Sequence, residues 1–336
     1  MTPSEIVKFL DQHVVGQKDA KHQLAVAIYT HYKKIELAAP SKVEIIKSNI
    51  LLIGPTGTGK TLLCETLAKV LKVPFVTANA TSLAQSEYVN EEIEAILQRL
   101  IDKAEGDVGS AQRGIVFIDE IDKLKSPGNQ QGHARATSGE GVQHALLKIM
   151  EGVPVRLRDA NYIDTTQILF ICGGSFVGLD EILSTTHTFG FVSTTDSDKQ
   201  NQQLLDRLNA RVKPNDLLAF GLVPEFAGRL PIVATLQPLS REMMVRIMTE
   251  PQNAIYRQYQ QILQNEGVVL QIEPIVFQQI ADLAIEYKVG ARSLRGIFEE
   301  MLTPVLYLVP DHPEVRRVVI SSLFEPPRYI GTHATS

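Results

Sequence analysis

Residues Gly54-Pro55-Thr56-Gly57-Thr58-Gly59-Lys60-Thr61 fit the pattern G-x-x-x-x-G-K-[ST]. A short apolar run, Asn49-Ile50-Leu51-Leu52-Ile53, precedes them, and a helical stretch from Thr61 to Leu71 follows. Strand, glycine-rich turn and helix in that order make a phosphate-binding loop. The glycines let backbone N–H groups turn toward an anion, and the helix N-terminus adds favourable dipole charge. In such a loop Lys60 reaches the β- and γ-phosphates and the Thr61 hydroxyl coordinates Mg²⁺.

The pattern around this loop alternates. Val73-Pro74-Phe75-Val76 reads as a second strand, Glu91 to Ala104 as a helix and Gly114 to Ile118 as a third strand. A helix over Gly141 to Glu151 and a fourth strand over Gln167 to Cys172 follow. Apolar strands alternating with helices predict a parallel sheet covered on both faces, an α/β domain. Thr2, Pro3 and Glu5 form a helix start signal with a capping box, and a second helix follows Gly16 with Ala20, Leu24, Ala27, Ile28 and His31 on one face. Past Leu236 three segments read as helices: Ser240 to Asn265, Pro274 to Lys288 and Ala291 to Leu308. Two β-prone pieces, Val268 to Ile272 and Arg317 to Ile320, flank the last two. The chain therefore divides into a large α/β domain, 1–236, and a smaller, mostly helical α+β domain, 237–336, with Gln237-Pro238-Leu239-Ser240 as the hinge. The polar stretches Ser126 to Ser138 and Ser193 to Gln203 read as long loops.

Ile115-Val116-Phe117-Ile118 ends in two adjacent carboxylates, Asp119 and Glu120. Carboxylates are costly beside a core without partners. Placed after a phosphate loop, Asp119 suits a Mg²⁺ contact and Glu120 suits the general base that polarises an attacking water. Two arginines bear on the same chemistry. Arg229 lies four residues after Glu225, so a local ion pair is one reading. Arg292 opens a predicted helix, where a cation opposes the dipole and calls for something negative to face it.

Composition narrows the class. With 336 residues, 44% hydrophobic and 21% charged, the chain buries a sizeable core. It contains no apolar run of about 18 residues, which argues against a transmembrane helix. The opening Met1-Thr2-Pro3-Ser4-Glu5 has no basic region followed by an apolar one, so no signal peptide is expected. Cys64 and Cys172 sit in apolar runs and read as small buried hydrophobes, consistent with a reducing, cytoplasmic setting. A net charge of −5 argues against broad, sequence-independent binding to nucleic acid.

From near Val14 to about Ile320 the chain resembles the ClpX family of AAA+ protein unfoldases. The resemblance rests on Ser48 to Gly57, Phe117 to Lys123, Ser138 to Gln143, Ile168 to Gly174, Pro224 to Pro231 and Gly290-Ala291-Arg292. It implies a homo-hexamer that binds ATP and Mg²⁺ between subunits and threads protein substrates through a central pore. Val14 and Val15, in Val14-Val15-Gly16-Gln17, match the adenine-side segment, and Leu62 extends the phosphate-loop contacts. Arg229 matches the arginine finger that reaches a neighbour's γ-phosphate, and Arg292 the sensor-2 arginine.

Departures from the family pattern are concentrated in the loops that meet other proteins. The amino-terminal zinc domain of ClpX has no counterpart in these residues. The family's pore loop Gly-Tyr-Val-Gly is Glu87-Tyr88-Val89-Asn90 here; Tyr88 and Val89, the gripping pair, remain, and Glu87 adds negative charge. A second pore loop is expected over Lys125 to Arg135, and Val155 to Asn161 lacks the family's Arg-Lys-His signature. The Ile/Leu-Gly-Phe tripeptide that docks the ClpP-type peptidase is Phe189-Gly190-Phe191, which leaves that partner open. Three other readings stay beside the unfoldase: a stand-alone remodelling ATPase, a nucleotide-switched scaffold that threads nothing, and a nucleic-acid motor, against which the acidic balance speaks.

Overall fold

The computed structural model describes residues 1–38, 47–125, 139–157, 162–186 and 211–331. Their contacts define two compact units, each described separately below. The first comprises Met1–Ile6, Asp19–Pro55 and Cys64–Leu236; the second comprises Val7–Lys18, Thr56–Leu63 and Gln237–Ser336.

The first unit is built on a five-stranded sheet, every neighbouring pair of which is parallel. Its strands are β1 (Ile50–Ile53), β2 (Phe75–Asn79), β3 (Ile115–Asp119), β6 (Leu169–Gly174) and β7 (Ile232–Thr235), in the order β2-β3-β6-β1-β7. β4 (Pro154–Arg156) and β5 (Tyr162–Asp164) form a separate antiparallel pair. The central strands β1 and β6 are buried along their whole length, which is why they read as unbroken apolar runs rather than alternating ones. Each fully buried Ile, Leu or Phe in them contributes about 1.5–3 kcal/mol of transfer free energy.

The helices crossing between these strands are α3 (Lys60–Leu71), α4 (Ala80–Gln85), α5 (Val89–Lys103), α6 (Val108–Ala111), α7 (Gly139–Glu151), α8 (Leu179–Thr186), α9 (Pro214–Phe220) and α10 (Pro224–Gly228). α5 buries Val89, Ile93, Ile96, Leu97, Leu100 and Ile101, the i, i+3, i+4 stripe of a helix lying on a sheet. α2 (Lys18–Ala38) also belongs largely to this unit. Because all five strands are parallel, their carboxyl ends share one edge, and the phosphate loop and the Asp119-Glu120 pair both leave the sheet there.

In the second unit, α1 (Pro3–His13) supplies its last turns, and Gln17 and Gln237 exchange two hydrogen bonds of 2.8 Å. Ser240 caps α11 (Arg241–Thr249) by accepting from the Met243 N–H at 3.2 Å, as the hinge sequence predicts. The single helix expected over Ser240 to Asn265 is instead two, α11 and α12 (Ile255–Asn265). Pro251 breaks it, because proline lacks the N–H and clashes with the preceding turn. Next come β8 (Val269–Ile272), α13 (Pro274–Glu286), α14 (Arg292–Leu308), β9 (Val315–Ile320) and β10 (Arg328–Gly331). β8 pairs parallel and β10 antiparallel with β9.

Thr2 and Glu5 make the reciprocal capping bonds that the opening sequence predicts, at 2.7 and 3.4 Å. β7, β10 and the β4–β5 pair are strands that the periodicity reading did not anticipate.

Candidate functional site

Gly54 follows β1 directly, and its N–H donates to the Gly174 carbonyl at the end of β6, 3.1 Å away. The loop then runs into the first turn of α3, where Lys60 is 8% exposed and Thr58 5%. Gly57 has φ +81°, a conformation that side chains with a β-carbon rarely adopt. A β-carbon there would also sit 2.5 Å from the Val289 carbonyl oxygen. Gly290 answers it with φ +66° and would place its own β-carbon 2.9 Å from the Thr56 carbonyl. The two glycines allow two backbones to approach where no side chain fits, and the Ala291 N–H reaches the Gly57 carbonyl at 3.4 Å. Both segments belong to the second unit.

Arg292 is the exposed first residue of α14, immediately after this contact, and makes no ion pair among the described residues. Val14 and Val15 are buried in the same unit, Pro55, Thr56 and Leu62 are exposed, and Gly59 and Thr61 are half-buried. Around Gly59 a β-carbon would meet nothing within 4 Å, so the loop keeps open space beside its backbone. That opening, the backbone N–H groups and the buried Lys60 fit a polyphosphate. In this unit the Thr61 hydroxyl, and in the first unit the Asp119 carboxylate, are each hard oxygen donors of the kind Mg²⁺ takes.

At the end of β3, Asp119 accepts the Glu120 N–H at 2.9 Å. Glu120 is exposed, has a left-handed backbone with φ +60°, and accepts a 2.8 Å hydrogen bond from the Thr81 hydroxyl of α4. The following turn places Asp122 inside the protein, 4% exposed, where it accepts from the Ser175 hydroxyl at 3.1 Å and the Phe176 N–H at 3.3 Å. Cys64 and Cys172 are free and fully buried, and burial pushes the Cys172 thiol up to about 12 and raises that of Cys64 as well.

Residues 46–233 match the family model of the AAA domain (Cdc48 subfamily), and residues 239–317 match that of the C-terminal, D2-small domain of ClpB protein. The chain belongs to the AAA family. It is a Clp/Hsp100-type AAA+ ATPase, and its parallel sheet followed by a mostly helical carboxyl-terminal region is the architecture of that group.

Other sequence-predicted residues of this AAA+ ATPase belong to the first unit. Arg229 stands at the carboxyl end of α10 and pairs with Glu151 of α7 at 2.7 Å, not with Glu225 four residues before it. Tyr88 precedes α5 and is 64% exposed, while Val89, expected to grip with it, is 8% exposed and part of the core. An apolar first residue on the inward face of α5 is drawn into the core. Glu87, Tyr88, Val89, Asn90 and Glu91 line a cleft of about 470 Å³ whose other wall includes His144 and Lys148. Lys125 lies over the Phe220 ring at 5.3 Å. Phe189, Gly190 and Phe191, and most of the expected second pore loop, fall outside the described residues.

The sequence reading did not single out Thr81, Asp122, Asn49 or Glu151. Asp122 had a signal, a third acidic residue in Asp119-Glu120-Ile121-Asp122; Thr81, Asn49 and Glu151 had none, since their partners lie 39 to 180 residues away. No helix among the described residues is long and apolar enough to cross a membrane.

Proposed function

We propose that this chain is a ClpX-like, ATP-driven protein unfoldase that works as a homo-hexamer and draws polypeptides through a central pore. The observation that carries the reading is Tyr88, a large ring left 64% exposed at the start of α5 by a backbone whose next residue is anchored in the core. An exposed aromatic ring at the mouth of a cleft is suited to gripping a chain. In this reading Lys60 and the loop amides bind the phosphates of ATP, and Thr61 and Asp119 hold Mg²⁺, which neutralises phosphate charge when bound. Glu120 polarises the attacking water. Arg229 of one subunit stabilises charge at its neighbour's γ-phosphate, and Arg292 senses the same phosphate from within its own subunit. Val14 and Val15 flank the adenine. The chain divides functionally into 1–236 and 237–336, and hinge motion at 237–240 carries each cycle to Tyr88.

Delivery to a ClpP-type peptidase through Phe189-Gly190-Phe191 is the natural extension. The larger Phe189 in place of Ile or Leu supports the alternative of a stand-alone remodeller.

The test is ATP-dependent loss of fluorescence from tagged fluorescent proteins, with a trap that prevents refolding and no peptidase present. Loss that requires ATP, Glu120 and Tyr88 is expected. Robust ATP hydrolysis by hexamers with no loss for any tail would overturn threading and favour the nucleotide-switched scaffold.

A further inference from the structure

Asn49 is the residue immediately before β1, and it is 1% exposed. Its side-chain nitrogen donates twice, to the Met150 carbonyl at 3.2 Å and to the Arg229 carbonyl at 3.1 Å. Its side-chain oxygen, equally buried, has no hydrogen-bond partner among the described residues. The amide cannot be turned round, because its oxygen would then face two carbonyl oxygens. A half-satisfied buried amide is destabilising, and leucine has nearly its shape without that cost. Packing alone does not account for asparagine here.

The two carbonyls explain it. Met150 lies in the last turn of α7 and Arg229 at the carboxyl end of α10, where helices leave acceptors unpaired. One amide therefore ties both helix ends together. Met150 is followed by Glu151, whose carboxylate takes the Arg229 guanidinium at 2.7 Å. Asn49 thus holds the backbone of Arg229 directly and holds its side chain through the segment that carries Glu151.

The same residue is joined to the phosphate loop. Ile50, next to Asn49, pairs with Ile232, three residues beyond Arg229, and with Ile171 on the other side. From there β1 runs, paired on both edges, to Ile53 and Gly54. A strand held on both sides moves as a unit, so a shift at the loop end shifts Asn49 and the arginine with it.

We infer that Asn49 is the positioning residue for Arg229, linking the arginine presented to a neighbouring subunit to the strand that carries this subunit's own phosphate loop. The inference rests on the reading of Arg229 as a finger acting across a subunit interface.

Mixed hexamers test both and tell them apart. Donor subunits carry Glu120→Gln with Arg229 intact; acceptor subunits carry Arg229→Ala with Glu120 intact. Each alone is expected to be nearly inactive, and mixing is expected to restore ATP hydrolysis at acceptor sites that face a donor arginine. No restoration would overturn the finger reading, and this inference with it. Given restoration, Asn49→Ala in the donor is expected to lower the recovered kcat by about fivefold or more, with KM for ATP changed by less than about twofold. The same substitution in the acceptor is expected to lower kcat by less than about twofold. Equal losses from both sides, or no loss from the donor, would overturn the assignment. Asn49→Leu, close in shape, is run in parallel with thermal unfolding of each variant. If neither variant folds, Asn49 is a structural cap and the proposal falls.

Discussion

The hydroxyl of Thr81 donates a 2.8 Å hydrogen bond to the carboxylate of Glu120. It ties the first turn of α4 to the residue that follows β3, and it occupies an oxygen that a general base needs free. Thr81→Val is therefore expected to raise the basal rate of ATP hydrolysis by about threefold, with ATP affinity little changed. Single-turnover hydrolysis measures it, and a fall in rate would mean that the hydroxyl orients Glu120 rather than restrains it.

In the proposed mechanism Glu120→Gln removes the base and keeps the shape. The rate of hydrolysis should fall by about a hundredfold or more, while ATP binding, followed by a fluorescent analogue, stays within about twofold. A variant that loses binding and turnover together would place Glu120 in nucleotide affinity instead.

The close approach of Gly57 and Gly290 leaves no room for a methyl group, since a β-carbon on Gly290 would lie 2.9 Å from a carbonyl oxygen at φ +66°. Gly290→Ala should displace the phosphate loop and raise KM for ATP by about tenfold, with melting temperature lowered only modestly. Unchanged KM would show that the loop adapts without loss.

His31 is 5% exposed on α2 and, when neutral, donates to the Gln167 carbonyl at 3.0 Å. Burial is the main reason its pKa is lowered to about 4; Lys47 and Lys34 push the same way, and the carbonyl bond opposes them. The unfolded chain, titrating near 6.5, takes up the proton first as pH falls. The stability His31 supports is therefore complete above about pH 6.5 and is lost down to about pH 4, on the order of 3 kcal/mol. Denaturant titrations of the wild type and His31→Gln should diverge in slope over that window, and parallel curves would refute the assignment.

Lys47 works in the opposite part of the pH scale. It donates to the Thr165 carbonyl at 2.6 Å and lies 4.5 Å over the Phe170 ring, and burial lowers its pKa to about 7 against a smaller upward push from Asp164. Its folded value lies below its unfolded one, so stability should rise with pH from about 7 upward, where the folded protein has lost the proton and the unfolded chain still holds it, and level off near the unfolded value of 10.5. Lys47→Met should remove that rise, which thermal unfolding at pH 7 and 9 measures.

Some of this protein was written in short stretches of chain. The phosphate loop between β1 and α3, the acidic pair at the end of β3, and the caps at Thr2 and Ser240 each depend on backbone geometry within a few residues, so their spacing sufficed to find them. Short edge strands such as β7, in which only Ala234 is buried, read weakly, because a four-residue piece has no period to show. Pro251 carried its signal in plain view and still lost to the helical pattern on either side.

Contacts between distant segments had no such local trace. Arg229 takes Glu151 from 78 residues away rather than Glu225 in its own helix, and Asn49 reaches Arg229 across 180. Tyr88 and Val89 are neighbours in sequence, yet one is exposed and the other enters the core, because successive side chains at a helix start point in different directions. Sequence alone determined which residues can bind a phosphate, hold a metal or move a proton, since that chemistry belongs to the side chains and their immediate backbone. Only the tertiary structure decided which of them are held, and by what, since it brings chemically compatible groups far apart in the chain within hydrogen-bonding distance.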